Sequence, residues 1–148
     1  MLTRLLSSCL ILAFVSPALA APNDCAPKRQ AVVFPAKLKT ETLTNMRDHL
    51  LAIQEITAYL AASQFDQAAD VAETRLGMSS MQRHGAHAVA KYMPVGMRQI
   101  GHGMHQAASD FAVVARDAKL TGDMPSALRA LADMQSSCVA CHAAYRLK

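Results

Sequence analysis

The chain has 148 residues, 52% of them hydrophobic and only 18% charged, with a formal net charge of +4. One hydrophobic core is the expectation at this length. The basic residues are scattered singly, with no lysine- and arginine-rich block, and this argues against a nucleic-acid partner.

Residues 1–20 have the layout of a cleaved secretory signal. Met1-Leu2-Thr3-Arg4 is a short basic start, Leu5 to Val15 is apolar but too short to span a bilayer, and Ala18-Leu19-Ala20 is a small-residue cleavage site. The break at Pro17 argues against a membrane anchor. Cys9 sits inside the apolar stretch with only eight residues before it, which leaves no room for a lipid-anchor signal. No other stretch is long and apolar enough to cross a membrane, so the mature protein is expected in the periplasm without stable membrane insertion. Cleavage removes Arg4 and leaves fourteen basic against eleven acidic residues, about +3.

Residues 21–39 read as an N-terminal arm and residues 40–148 as the folded domain. Cys25, between Pro22 and Pro27, is the odd cysteine of the mature chain, either an exposed thiol or half of an intermolecular disulfide.

The domain reads as helix throughout, because Gly and Pro are sparse, alanine is abundant and no segment alternates like a strand. The first helix is expected from Thr40 to Ala62, with Leu43, Met46, Leu50, Ile53, Thr57 and Leu60 as its inward stripe. A second runs from Asp66 to about Met81 on Ala69, Ala72 and Leu76, weakened near Gly77. The third follows Pro94, which suits a helix start, and reaches Lys119 on Met97, Ile100, Met104, Ala107, Phe111, Val114 and Ala118. A turn at Thr121-Gly122-Asp123 leads to the fourth, from Pro125 to Arg146, with Leu128, Leu131, Met134, Cys138, Cys141 and Tyr145 inward. Four amphipathic helices with short connections predict an all-α antiparallel four-helix bundle.

The last helix carries Cys138-Val139-Ala140-Cys141-His142. Two cysteines spaced three apart can reach the two vinyl groups of one haem while the next histidine ligates its iron. Cys138 and Cys141 are therefore the expected covalent attachment points of one haem c, near one end of the bundle, and His142 its axial ligand. A thioredoxin-like dithiol needs a βαβ context that is missing. Half of a zinc site needs further cysteines or a spaced histidine pair.

The segment Cys138 to Arg146, on the last of four helices with Tyr145 and a basic residue after the histidine, resembles class II c-type cytochromes, the cytochrome c′ family. The specific motif covers only these nine residues. The resemblance implies a left-handed four-helix bundle, haem near one end, Arg146 packed close to His142, and a homodimer by analogy. Arg146 is also His142's helical neighbour, or else an ordinary complement to a helix C-terminus.

Function turns on the sixth coordination position. His142 lies six residues before the chain end and Met46 six after Thr40, each roughly 9 Å along antiparallel helices. The two are therefore expected on one level, with Met46 as the sixth ligand. Met46 could instead only pack against the haem, and a shift of one turn would bring Leu43 or His49 to the iron. Low-spin members of the resembled family carry a methionine near this position and high-spin members an apolar residue. Met78 to His105 holds five methionines and four histidines. Its i,i+3 pairs His84/His87 and His102/His105 could hold a second metal such as Cu(I), although a haem bed explains the methionines without one. Gly85, Gly96, Gly101 and Gly103 suggest close haem approach or a bent connection.

The expectation is a periplasmic one-electron carrier for redox partner proteins, not an enzyme and with no catalytic residue. The alternative is a five-coordinate protein that binds NO or CO.

Overall fold

The structure, a computed structural model, describes residues 28–148; the expected export signal, Cys9 and Cys25 lie outside these residues. These described residues are all-α apart from two short strands. Its elements are β1 (Gln30–Val32), α1 (Ala36–Ala61), α2 (Phe65–Val71), α3 (Ala86–Ala90), α4 (Val95–Thr121), α5 (Met124–Ala144) and β2 (Tyr145–Leu147).

Proline punctuation sets the helix starts. Pro35 and Pro94 stand immediately before α1 and α4 with φ of −54° and −52°, and their rings preset the entry of each helix. α1 thus begins at Ala36 rather than Thr40. α4 ends at Gly122, whose φ of +74° is the left-handed cap an L-residue resists. Asp123 then caps α5 by accepting from the backbone of Ser126.

The second helix stops earlier than Met81. Beyond Val71 it widens into a π-helical turn, Ala72–Leu76, and ends at Gly77. There a Cβ would meet the backbone oxygen of Glu73 at 2.7 Å. A single 3-10 turn (Met78–Ser80) and α3 carry the chain across to Pro94.

α1 packs on α2, α2 on α4, and α4 on α5. Nine of the seventeen buried residues in the main core are alanine, so these helices approach closely, with Ile56, Leu60, Phe65, Leu76, Phe111 and Met134 filling the gaps. Cross-helix ion pairs reinforce the contacts. Arg75 joins the end of the second helix to Asp48 and Glu55 on α1, while Arg116 with Asp70 (2.7 Å) and Lys119 with Asp66 join α4 to α2.

The expected stripes of α4 and α5 are largely met: Met97, Met104, Phe111, Ala118, Leu131 and Met134 are buried. On α1 the stripe is displaced. Thr42, His49, Ala52, Ile56 and Leu60 face the core, and Leu43 and Leu50 are exposed. Leu128, expected inward on α5, is exposed as well.

A smaller core closes one end of the molecule. β1 and β2 pair in parallel, Gln30 opposite Tyr145 and Val32 opposite Leu147. Val32, Phe34, Val89 and Met97 are buried beneath, with Cys141 and Tyr145 packed against them. Residues 30–39, expected as part of an arm, are instead β1 and the first turn of α1. No helix among the described residues is long and apolar enough to cross a membrane.

Candidate functional site

Cys138 and Cys141 lie on the last turns of α5, one facing each core: Cys138 packs against the main cluster and Cys141 against the strand end. Both are free thiols. Burial pushes both thiol pKa values up, with the neighbouring Cys138 adding to the shift at Cys141. A dithiol of the thioredoxin type needs the reverse, a thiolate stabilised near neutral pH. Nor do three His, Cys, Asp or Glu side chains converge on a common point among the described residues, as a zinc site at these thiols would need.

α5 ends at Ala144, and Tyr145 is already extended (φ −126°, ψ 154°). Arg146 is therefore on β2, opposite Ala31, and is not the helical neighbour of His142. The extended turn folds the C-terminus back against the start of α4. There Tyr145 comes so close to Gly96 that a Cβ would lie 2.6 Å from its hydroxyl.

Between α1, α4 and this turn lies a cavity of about 370 Å³. Cys141, His142 and Tyr145 form one wall, and Leu43, Met46, Met93, Met97 and Met104 supply apolar surface. Its three charged lining residues other than histidine are cations, Arg29, Lys39 and Arg146, and no carboxylate lines it. None of the three pairs with a carboxylate among the described residues.

A second cavity of about 270 Å³ adjoins it, sharing Thr42, Met46, Met93, Gly101 and His105 and adding Met81, His84 and His102. Met46 thus stands on the boundary of both. A Cβ on Gly101 would meet nothing within 4 Å, so the glycine leaves open space on the cavity wall.

The axial count that expected His142 and Met46 on one level does not match the helix ends. Met46 lies ten residues into α1 and His142 two from the end of α5, roughly 15 Å and 3 Å along their helices. The two side chains nevertheless line one cavity, as does Leu43. His49, the other candidate from α1, lines neither cavity.

His49 turns instead into a cluster that the sequence gives no means of finding. Its ring lies 4.8 Å from that of His84 and 6.1 Å from that of His105, and the last two are 5.8 Å apart. Burial, then the neighbouring His84 and His105, hold the His49 pKa down to about 4, and burial lowers His84 and His105 as well. All three are thus neutral at neutral pH. His105 Nδ1 contacts the carbonyl of Leu76 at 2.6 Å, so it carries the proton and donates. His87 and His102 remain exposed, so the expected i,i+3 pairs are not the units the fold assembles.

No family model, curated protein or solved structure matches this chain.

Proposed function

We propose that the protein is an exported, periplasmic c-type cytochrome of the class II kind, a helical bundle that carries one electron through a single covalent haem. The observation that carries this reading is that Cys141, His142 and Met46, from opposite ends of the sequence, line one cavity whose other walls are methionine-rich and whose only non-histidine charges are positive.

The lining residues suit the group, while Cys138, one turn before Cys141, packs against the main core and lines neither cavity. The two adjoining cavities, about 370 and 270 Å³, share lining residues and only together reach well into the size range of cofactor sites. Methionines give a flat macrocycle an apolar, adaptable bed. Arg29, Lys39 and Arg146 are the charges a ligand with two carboxylates requires. Gly101 leaves open the space a side chain would take.

In this reading Cys138 and Cys141 hold the haem through thioether bonds. His142, from α5, and Met46, from α1, would be the residues that hold its iron. The haem supplies an iron that cycles between two oxidation states, and a histidine–methionine pair raises its reduction potential. The chain's own part is to exclude water with methionine and aromatic side chains and to fix His142 at the end of a helix anchored by Tyr145. No substrate is transformed.

A second reading is favoured by one feature. Met46 also lines the smaller cavity, which would offer room for a diatomic ligand beside it. The protein would then bind NO or CO.

Expression with export in a host that matures c-type cytochromes tests the main reading. The purified chain should keep its haem through denaturation and acid–organic extraction, one per chain, and Cys138→Ser with Cys141→Ser should abolish attachment. A chain exported without haem, or with haem that extracts freely, would sink it.

A further inference from the structure

We propose that His49, His84 and His105 form a binding site for one transition-metal ion of the copper–zinc type, separate from the Cys138–His142 motif. The site draws on three different elements, α1, the connection before α3, and α4.

The spacing of the rings carries the inference. Two nitrogens bound about 2.0–2.1 Å from one tetrahedral metal stand roughly 3.4 Å apart, and the rings behind them are then about 5 Å between centres. His49 Nε2 and His84 Nδ1 are 3.4 Å apart, and the three ring centres are separated by 4.8, 5.8 and 6.1 Å. As a hydrogen bond, 3.4 Å between nitrogens is long, beyond the usual 2.7–3.2 Å. As the edge of a coordination tetrahedron it is ordinary.

The surroundings also have the character of an outer shell. Metal-bound histidines commonly donate their second ring N–H to a backbone carbonyl, which fixes the tautomer. His105 does this through Nδ1 to Leu76, leaving Nε2 as the lone-pair nitrogen. The buried Ser80 hydroxyl donates to Gly77 at 2.7 Å, so towards the protonated His105 Nδ1, at 3.4 Å, it can only accept. All three imidazoles are neutral, the form that binds a metal. Asp48, next in sequence to His49, places a carboxylate beside the cluster.

No three such side chains already converge on one point among the described residues. His84 and His105 are only half-buried, so small shifts of these two side chains, with the His105–Leu76 bond kept, can bring His84 Nδ1 and His105 Nε2 onto an ion against the fixed His49. Both also line the 270 Å³ cavity, which would receive a fourth ligand. Imidazole donors bind copper more tightly than zinc.

The site uses none of Cys138, Cys141, His142 and Met46, so loss of haem attachment and loss of metal binding can be scored separately. The mature exported protein, its haem content measured by absorbance, would be titrated with Cu²⁺ and with Zn²⁺. One ion per chain is expected, Cu²⁺ the tighter. His84→Ala and His105→Ala should each weaken binding at least tenfold, and the exposed His87→Ala should leave it unchanged. Because His49 is buried and its replacement can unfold the chain, the wild-type protein carries the second measurement, X-ray absorption at the copper edge, where three imidazoles are expected. Stoichiometric binding that survives both His84→Ala and His105→Ala, a spectrum with fewer than two imidazoles, or no binding at all would overturn the proposal.

Discussion

The hydroxyl of Tyr145 rests on the backbone of Gly96: a Cβ placed there would lie 2.6 Å from the hydroxyl oxygen, yet 3.9 Å from the ring carbon that bears it. The contact fastens the end of α5 to the first turn of α4, three residues beyond His142. Gly96→Ala should therefore cost about 1–3 kcal/mol of overpacking, offset by up to about 1 kcal/mol of helix propensity. In a Tyr145→Phe background the nearest remaining atom is at ordinary contact distance, and the same replacement should become neutral or stabilising. Urea unfolding of the four proteins in this cycle measures the coupling, and a Gly96→Ala cost that persists without the hydroxyl would contradict the contact.

Arg75 links the π-helical end of the second helix to α1 by bonding both Asp48 and Glu55, and its Nη2 also donates to the carbonyl of Asp48 at 3.1 Å. The guanidinium holds the Asp48 carboxyl below its usual range. The two carboxylates are themselves 43% and 35% exposed, so solvent screens much of the attraction. Arg75→Ala should lower stability by about 1–2 kcal/mol. Arg75→Lys should recover little, because an ammonium cannot reproduce the fork that spans two acids. Equal stability of the lysine variant and wild type in thermal melts would show the fork to be unimportant.

Much of the architecture can be read from periodicity, and the places where it cannot share a cause. α4 and α5 bury large apolar residues at helical spacing, so Met97, Met104, Phe111, Leu131 and Met134 stand out. α1 meets an alanine-rich partner, where close approach favours Thr42, Ala52 and a histidine over Leu43 and Leu50. Hydropathy marks the leucines and passes over His49, so the apparent stripe is displaced: Leu60 and Ile53 do meet the core, and Leu43 and Leu50 do not. Cys141 and His142 stand out in the sequence because the haem attachment proposed for them depends on local spacing alone. The His49–His84–His105 cluster is not, since its members lie 35 and 21 residues apart and only the fold joins them.

His49 is the clearest source of pH dependence in the chain without added metal. Its pKa falls from 6.5 to about 4, chiefly through burial, with His84, His105 and Arg75 opposing its charge and Asp48 favouring it. Between these values the unfolded chain binds the proton and the folded chain does not, so stability rises with pH. The penalty is absent above about pH 6.5, grows as pH falls, and levels off below about pH 4, at on the order of 3 kcal/mol. His84 and His105, shifted the same way, steepen the slope. Chemical denaturation between pH 4 and 7 should show this rise, and His49→Gln should flatten it. A stability that is constant or falls across this interval would contradict a neutral buried His49.

Under the proposed haem reading Met46 separates carrier from gas binder, and its place in the lining of both cavities makes the two outcomes distinguishable. With its thioether on the iron opposite His142, the ferric protein should be low-spin with the weak far-red band of sulfur ligation. Met46→Ala should make it high-spin, lower the reduction potential and open the position to CO, while haem stays attached through Cys138 and Cys141. Leu43 lines the same cavity but has no donor atom, so Leu43→Ala should leave the spin state unchanged. A wild-type protein already high-spin would move the assignment to the gas-binding reading. A Met46→Ala protein still low-spin would require another ligand, and His105, which lines both cavities, would then be replaced next.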